Sequence, residues 1–192
     1  MLQSFAAIVL KAVGWKTAST ICLPQKCVLI GAPHTSNWDF PLTLLALSRM
    51  GVRFNWVAKH TLFREPLGTI FRFIGGIPVD RSSGTAFLVK VIDLFTQRDN
   101  LVLAIAPEGT RSKGRYWKSG FYMIAKKSSV PIALGYIDYR NKVVGIGKLF
   151  HPTGDLNKDF ELIRDFYQDK EGRFPHKQGE IKLKPSRRKR GL

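Results

Sequence analysis

The run Leu101-Val102-Leu103-Ala104-Ile105-Ala106-Pro107 is apolar at every position. A strand without polar alternation is one covered on both faces, as in the interior of a sheet with helices packed above and below. The rest of the chain fits that demand. Val28-Leu29-Ile30-Gly31 reads as a second buried strand, and Leu42 to Leu47 as a helix after it. "VRFNWVAK" (52–59) reads as a strand, and "TLFREPLGTIFRFIGG" as helical turns broken by Pro66. "IPVD" is a short strand ending at Asp80. Phe87, Leu88, Val91, Leu94 and Phe95 recur at helical spacing within 84–98, and 117–128 also reads as helical. "VPIALGYIDY" and "KVVGIGKLF" form an expected hairpin across Arg140-Asn141. Residues 155–172 form an amphipathic helix with Asp155 in position to cap it. Strands alternating with helices predict an α/β fold, a mixed β-sheet flanked by helices. The 192 residues suffice for one domain with its own core, expected over 1–181. "KLKPSRRKRGL" (182–192) follows as a basic C-terminal tail.

Charge points to the kind of partner. Lys and Arg number 31 against 14 Asp and Glu, a net charge of +17, and the tail carries only six of the basic residues. An excess of this size favours an anionic partner: nucleic acid, an anionic membrane surface or a phosphorylated substrate. The 44% hydrophobic content excludes a disordered polycation. No RNA-recognition or KH signature is present, so no nucleic acid is expected. Cys22 and Cys27 are a single C-x4-C pair, a poor zinc signature, and no metal is expected. No segment reaches the roughly 20 apolar residues that span a bilayer. Leu2, Phe5, Val9, Ala12 and Val13 fall near helical spacing with Lys11 and Lys16 beside them. Such a helix lies on a membrane or packs on the core, and the sequence leaves both open.

Four short stretches carry possible chemistry. "HTSNWD" (34–39) joins the strand at 28–31 to the helix after it. A histidine with a pKa of about 6.5 takes a proton from a hydroxyl near neutral pH. A carboxylate on its other ring nitrogen improves it, and the four intervening residues let Asp39 reach His34. Alternatively, Asp39 only starts a helix and His34 is an ordinary loop residue; the pair alone does not decide. "APEGTRSKG" (106–114) follows the apolar strand and presents Glu108, Gly109, Thr110 and Arg111 on a turn. Arginine's planar fork suits phosphate, with Glu108 placed to fix Arg111 or another cation. "FIGGIPVDR" (73–81) pairs glycines that permit close backbone approach with Arg81 at the strand end. "VPIALG" (130–135) reads as a buried strand.

In this order and spacing, the four stretches resemble the glycerolipid acyltransferase family, best known from 1-acyl-glycerol-3-phosphate acyltransferases. "HTSNWD" is similar to its H-x4-D block, and "GGIPVDR", "PEGTRS" and "VPI" to its second, third and fourth, all within about residues 28–135. The resemblance implies that His34 is the general base on the acceptor hydroxyl and that Asp39 orients it. It implies an acceptor site built from Arg81, Glu108, Gly109, Thr110 and Arg111, with Arg111 near a phosphate and Pro131 in a hydrophobic wall. The donor would be acyl-CoA or acyl-carrier protein, or in some members an acyl phosphate. Neither a metal, another cofactor nor an acyl-enzyme is implied. The acceptor would be a lysophospholipid, with lysophosphatidic acid the leading expectation. Another lipid hydroxyl, such as that of a lyso-ornithine lipid or a glycolipid, stays open. The enzyme would work peripherally on an anionic membrane surface, at its cytoplasmic face. Ala106 stands where a bulky residue often precedes the third block, and "SNWD" is a variant interior of the first.

Overall fold

A computed structural model describes residues 2–80 and 84–185. Its elements run α1 (Leu2–Ala12), β1 (Lys16–Ser19), β2 (Lys26–Ala32), α2 (Asp39–Arg49), β3 (Asn55–Lys59), α3 (Leu67–Phe73) and β4 (Gly76–Val79). They continue with α4 (Gly84–Gln97), β5 (Leu101–Ile105), α5 (Gly120–Lys127), β6 (Ile132–Asp138), β7 (Val143–Phe150) and α6 (Leu156–Tyr167). The seven strands form one sheet in the order β1-β7-β6-β2-β5-β3-β4. From β6 to β4 every neighbour is parallel, whereas β7 returns antiparallel to β6 and carries β1 parallel at its outer side. The mixed sheet flanked by helices and the 140–141 hairpin are as the sequence predicts. β1 is an addition: "KTAS" is too short and too polar to announce a strand, and it forms by pairing with β7.

The continuous apolar runs bury both faces of the sheet. Along β2, Val28, Ile30 and Ala32 enter a core shared with Val91 and Phe95 of α4, Phe121 and Ile124 of α5, and Phe160 and Ile163 of α6. Cys27 and Leu29 point to the other face and meet Leu47 of α2. Leu10 of α1 packs with Leu42 and Ala46 of α2 and Ile137 and Val144 of the sheet. The α4–α5–α6 layer and the α1–α2 layer thus enclose the strands, the two-sided cover that period-1 apolar strands require. Burial lifts the Cys27 thiol to about 12, which marks it as an inert core residue.

α1 packs one face on the core and leaves the other exposed. Ala6 and Leu10 are buried, whereas Leu2, Phe5 and Ile8 are 60–69% exposed. α6 begins where expected: the Asp155 carboxylate accepts hydrogen bonds from the Asn157 and Lys158 amides, the N-cap geometry. It ends at Tyr167, earlier than the sequence pattern suggests. The chain then crosses the sheet edge as a strap over 171–178, held by Gln178, whose side chain donates to Lys170 O and accepts from Gly172 N. At the start of the basic tail, Trp117 N donates to Lys182 O at 2.9 Å and Trp117 bridges to Leu183, so 182 and 183 lie against the body. Residues 186–192 are outside the described residues.

Candidate active site

Parallel strands all end on one edge of the sheet, and that edge gathers the sequence motifs. His34 follows β2, the central strand between β5 and β6; the Glu108 turn follows β5; Asp80 follows β4. The opening beyond the carboxyl ends of parallel strands is the usual place for a ligand in an α/β sheet.

The His34–Asp39 loop closes on itself. Nδ1 of His34 lies 2.9 Å from Asp39 Oδ2. The same oxygen accepts the Thr35 and Ser36 amides, each at 2.9 Å. Asp39 opens α2, but its carboxylate turns back into the loop rather than along the helix; Trp38 is the N-cap and makes no side-chain cap bond. The Tyr139 hydroxyl donates to Asp39 Oδ1 at 2.8 Å. Asp39 is 2% exposed, and its donors replace the water that burial removes. The His34 side chain remains 25% exposed, so the ring is held on one side and open on another. With Nδ1 carrying the proton toward Asp39, Nε2 is left as an acceptor, the tautomer that a general base needs.

Glu108 joins this pair through the backbone. The Ala106-Pro107-Glu108-Gly109 turn is built as its residues dictate: Pro107 sits at the second position, Gly109 at the fourth, and Gly109 N donates to Ala106 O at 3.1 Å. Gly109 has φ +68°, a conformation that glycine adopts without strain. The turn sends Glu108 inward, where both carboxylate oxygens receive the His34 amide at 3.0 Å. The sequence placed Glu108 beside Arg111; the structure gives its carboxylate to the His34 loop. Burial raises the Glu108 carboxyl from 4.5 to about 7, partly offset by the His34 amide. A carboxyl raised on folding stabilises the fold when protonated. That contribution is full below 4.5 and is lost as pH rises through about 7. Glu108→Gln is therefore expected to flatten the stability curve between those pH values by on the order of 3 kcal/mol. Urea unfolding of both proteins at pH 5 and pH 8 measures it, and parallel curves would reject the assignment.

Thr110 and Arg111 lie exposed on the same turn, with Ser112 N bonded to Thr110 Oγ1. Among the described residues Arg111 takes part in no ion pair. Arg81 lies outside the described residues. The glycine pair before it behaves as its sequence suggests. A Cβ on Gly75 would stand 2.4 Å from Phe54 O, and one on Gly76 2.5 Å from Phe71 O. Pro131 is buried. It precedes β6, and its carbonyl accepts Val28 N, so it sits at the far edge of the sheet. Four strand residues separate that level from Ala32, about 13 Å.

Three contributors escaped the sequence reading. Tyr139 bonds Asp39. Tyr167, fully buried at the end of α6, donates to Gly135 O at 2.7 Å and Ile30 O at 3.2 Å, tying β2 to β6 just beneath the loop. The 171–178 strap braces the loop from outside: Phe174 N donates to Thr35 Oγ1, and Gly172 passes so close that a Cβ would stand 2.8 Å from the Thr35 side chain. Aromatic residues followed by a Gly-containing segment were the only sequence trace of them. Among the described residues no three His, Cys, Asp or Glu side chains are grouped to hold a metal ion.

The site can do base chemistry on a hydroxyl at an open strand end. Comparison with known proteins agrees in fold and family. The crystal structure of the 1-acyl-sn-glycerophosphate (LPA) acyltransferase PlsC from Thermotoga maritima is similar, with a TM-score of 0.61 at 19% identity. The likeness covers 88% of this chain and 74% of that one, and at this identity it speaks for the fold. No curated protein matches the chain. The Acyltransferase family model matches residues 18–134, a span that runs from β1 through β6 and includes both the His34 loop and the Glu108 turn. A match over more than half of the 192 residues, on the fold just described, makes this chain a member of the acyltransferase family.

Proposed function

We propose that the protein transfers an acyl group from a thioester, carried by coenzyme A or acyl-carrier protein, to the free hydroxyl of lysophosphatidic acid, giving phosphatidic acid. The observation that carries this reading is the His34 imidazole, bonded through Nδ1 to a buried Asp39 and open on its other side. Nε2 removes the acceptor's hydroxyl proton as the oxygen attacks the thioester carbonyl. The C–O bond forms, the tetrahedral intermediate collapses, the C–S bond breaks, and the imidazolium returns its proton to the departing thiolate. Asp39 stabilises the imidazolium between those steps. Glu108 sets the His34 backbone, while Arg111, with Arg81, Gly109 and Thr110, receives the acceptor's phosphate. The similarity to a lysophosphatidic acid acyltransferase supports this choice of acceptor.

The enzyme works from the surface of an anionic membrane, at its cytoplasmic face. The exposed Leu2, Phe5 and Ile8 face of α1, with Lys11 and Lys16 near it and a net charge of +17, supports that placement. Among the described residues no helix is long and apolar enough to cross a membrane. An acceptor screen tests the reading: purified protein, one labelled acyl-CoA or acyl-carrier protein, and a panel of lysolipids on anionic vesicles. Label is expected in phosphatidic acid. Label in an ornithine lipid or glycolipid instead would overturn the acceptor.

A further inference from the structure

The two oxygens of Asp39 are not equivalent. Oδ2 takes three donors from its own loop: His34 Nδ1 and the Thr35 and Ser36 amides. Oδ1 takes one, the Tyr139 hydroxyl, which reaches it from the end of β6, 100 residues away in sequence. Tyr139 lies beyond the segment that matches the family model. Its ring is fixed edge-on against Trp15, with centroids 4.8 Å apart and planes at 86°, in the cluster that joins α1, α2 and the sheet. Its backbone amide is anchored as well, donating to Glu171 O of the strap.

We infer that Tyr139 is a positioning residue of the acyl-transfer reaction: its hydroxyl holds the Asp39 carboxylate in the one rotation that presents Oδ2 to His34. The inference rests on His34 being the general base. Without the hydroxyl, Oδ1 is a buried anionic oxygen with no donor, and the carboxylate gains by rotating or by binding the imidazolium harder. The phenol does not titrate away from this duty at physiological pH. Burial and the Asp39 carboxylate push it far above its ordinary value. The charged groups around Asp39 are few. Among the described residues they are His34 from the loop, Glu108 from the β5 turn, and Arg173 of the strap, whose guanidinium lies over the Trp38 ring at 5.9 Å.

Tyr139→Phe keeps the ring against Trp15 and removes only the donor. With that donor gone the carboxylate is free to rotate, and Oδ2 no longer faces Nδ1 of His34. The expected result is a fall in kcat of about tenfold, with KM for both substrates within about twofold. The proton NMR signal of the His34 Nδ1–H, sheltered in the wild type by its bond to Asp39, should broaden or vanish through exchange with water. A residue that only packs the fold would leave kcat and that signal where they are. His34→Ala is assayed in parallel. An inactive His34→Ala beside a Tyr139→Phe enzyme with wild-type kcat and Nδ1–H signal would overturn this inference alone. An active His34→Ala would overturn both it and the general-base reading beneath it. Near-UV circular dichroism verifies the fold of each variant. Should Tyr139→Phe not fold, Trp15→Phe, which loosens the ring's seat and keeps the hydroxyl, is expected to lower kcat and broaden the same signal. A folded Trp15→Phe with unchanged signal and kcat would equally count against the inference.

Discussion

Replacing His34 by alanine is expected to remove nearly all transferase activity, by about 10²–10⁴-fold in kcat, from a protein that remains folded. The His34 ring is partly exposed and contributes little to the core, so its loss leaves the sheet and both helix layers intact. What it removes is the only imidazole tied to the Asp39 carboxylate among the described residues. Asp39→Asn should also be severe, for a different reason. An asparagine side chain offers its NH2 or its oxygen to a site built entirely of donors: two amides, a ring N–H and a phenol. Either the wrong tautomer of His34 is selected or a donor is left facing a donor. Steady-state turnover with saturating donor, together with thermal unfolding, separates lost chemistry from lost structure. Near wild-type turnover in a folded His34→Ala protein would sink the assignment.

The His34–Asp39 pair was legible because it is local: five positions apart, bounded by a recognisable strand and helix. The mixed sheet with helices on both faces was legible too, since apolar runs without alternation demand cover on both faces. The partners of the pair were not. Glu108 reaches the His34 amide across 74 positions and Tyr139 reaches Asp39 across 100, and both distances depend on which strands are neighbours. Sequence adjacency suggested that Glu108 serves Arg111, but a glycine at φ +68° parts their directions. The strap over 171–178 follows the polar run Gln168 to Glu171, and its close pass over Thr35 is set by tertiary packing. Pro131 adjoins a true strand, but a parallel strand delivers its beginning and its end to opposite edges of the sheet, so its distance from His34 is not read from its place in a motif.

Arg111→Ala is expected to raise KM for lysophosphatidic acid by about tenfold or more and to lower kcat, while leaving thioester binding unchanged. Arg111 is exposed on the turn after β5, and Glu108 of that same turn grips the His34 backbone. The guanidinium is therefore carried three residues from the carboxylate that fixes the His34 loop. No carboxylate pairs with Arg111 among the described residues, so the cation is available to a ligand rather than spent on the fold. A phosphate held by its fork brings the attached glycerol hydroxyl toward His34, and a fixed approach lowers the barrier as well as the dissociation constant. Binding that is used in this way must show in kcat as well as KM. Arg111→Lys should restore only part of the loss, because an ammonium keeps the charge and lacks the planar pair of donors. An acceptor without phosphate should be indifferent to either substitution. If Arg111→Ala keeps a wild-type KM for lysophosphatidic acid, the turn does not read phosphate, and a lipid hydroxyl without that group becomes the acceptor to pursue.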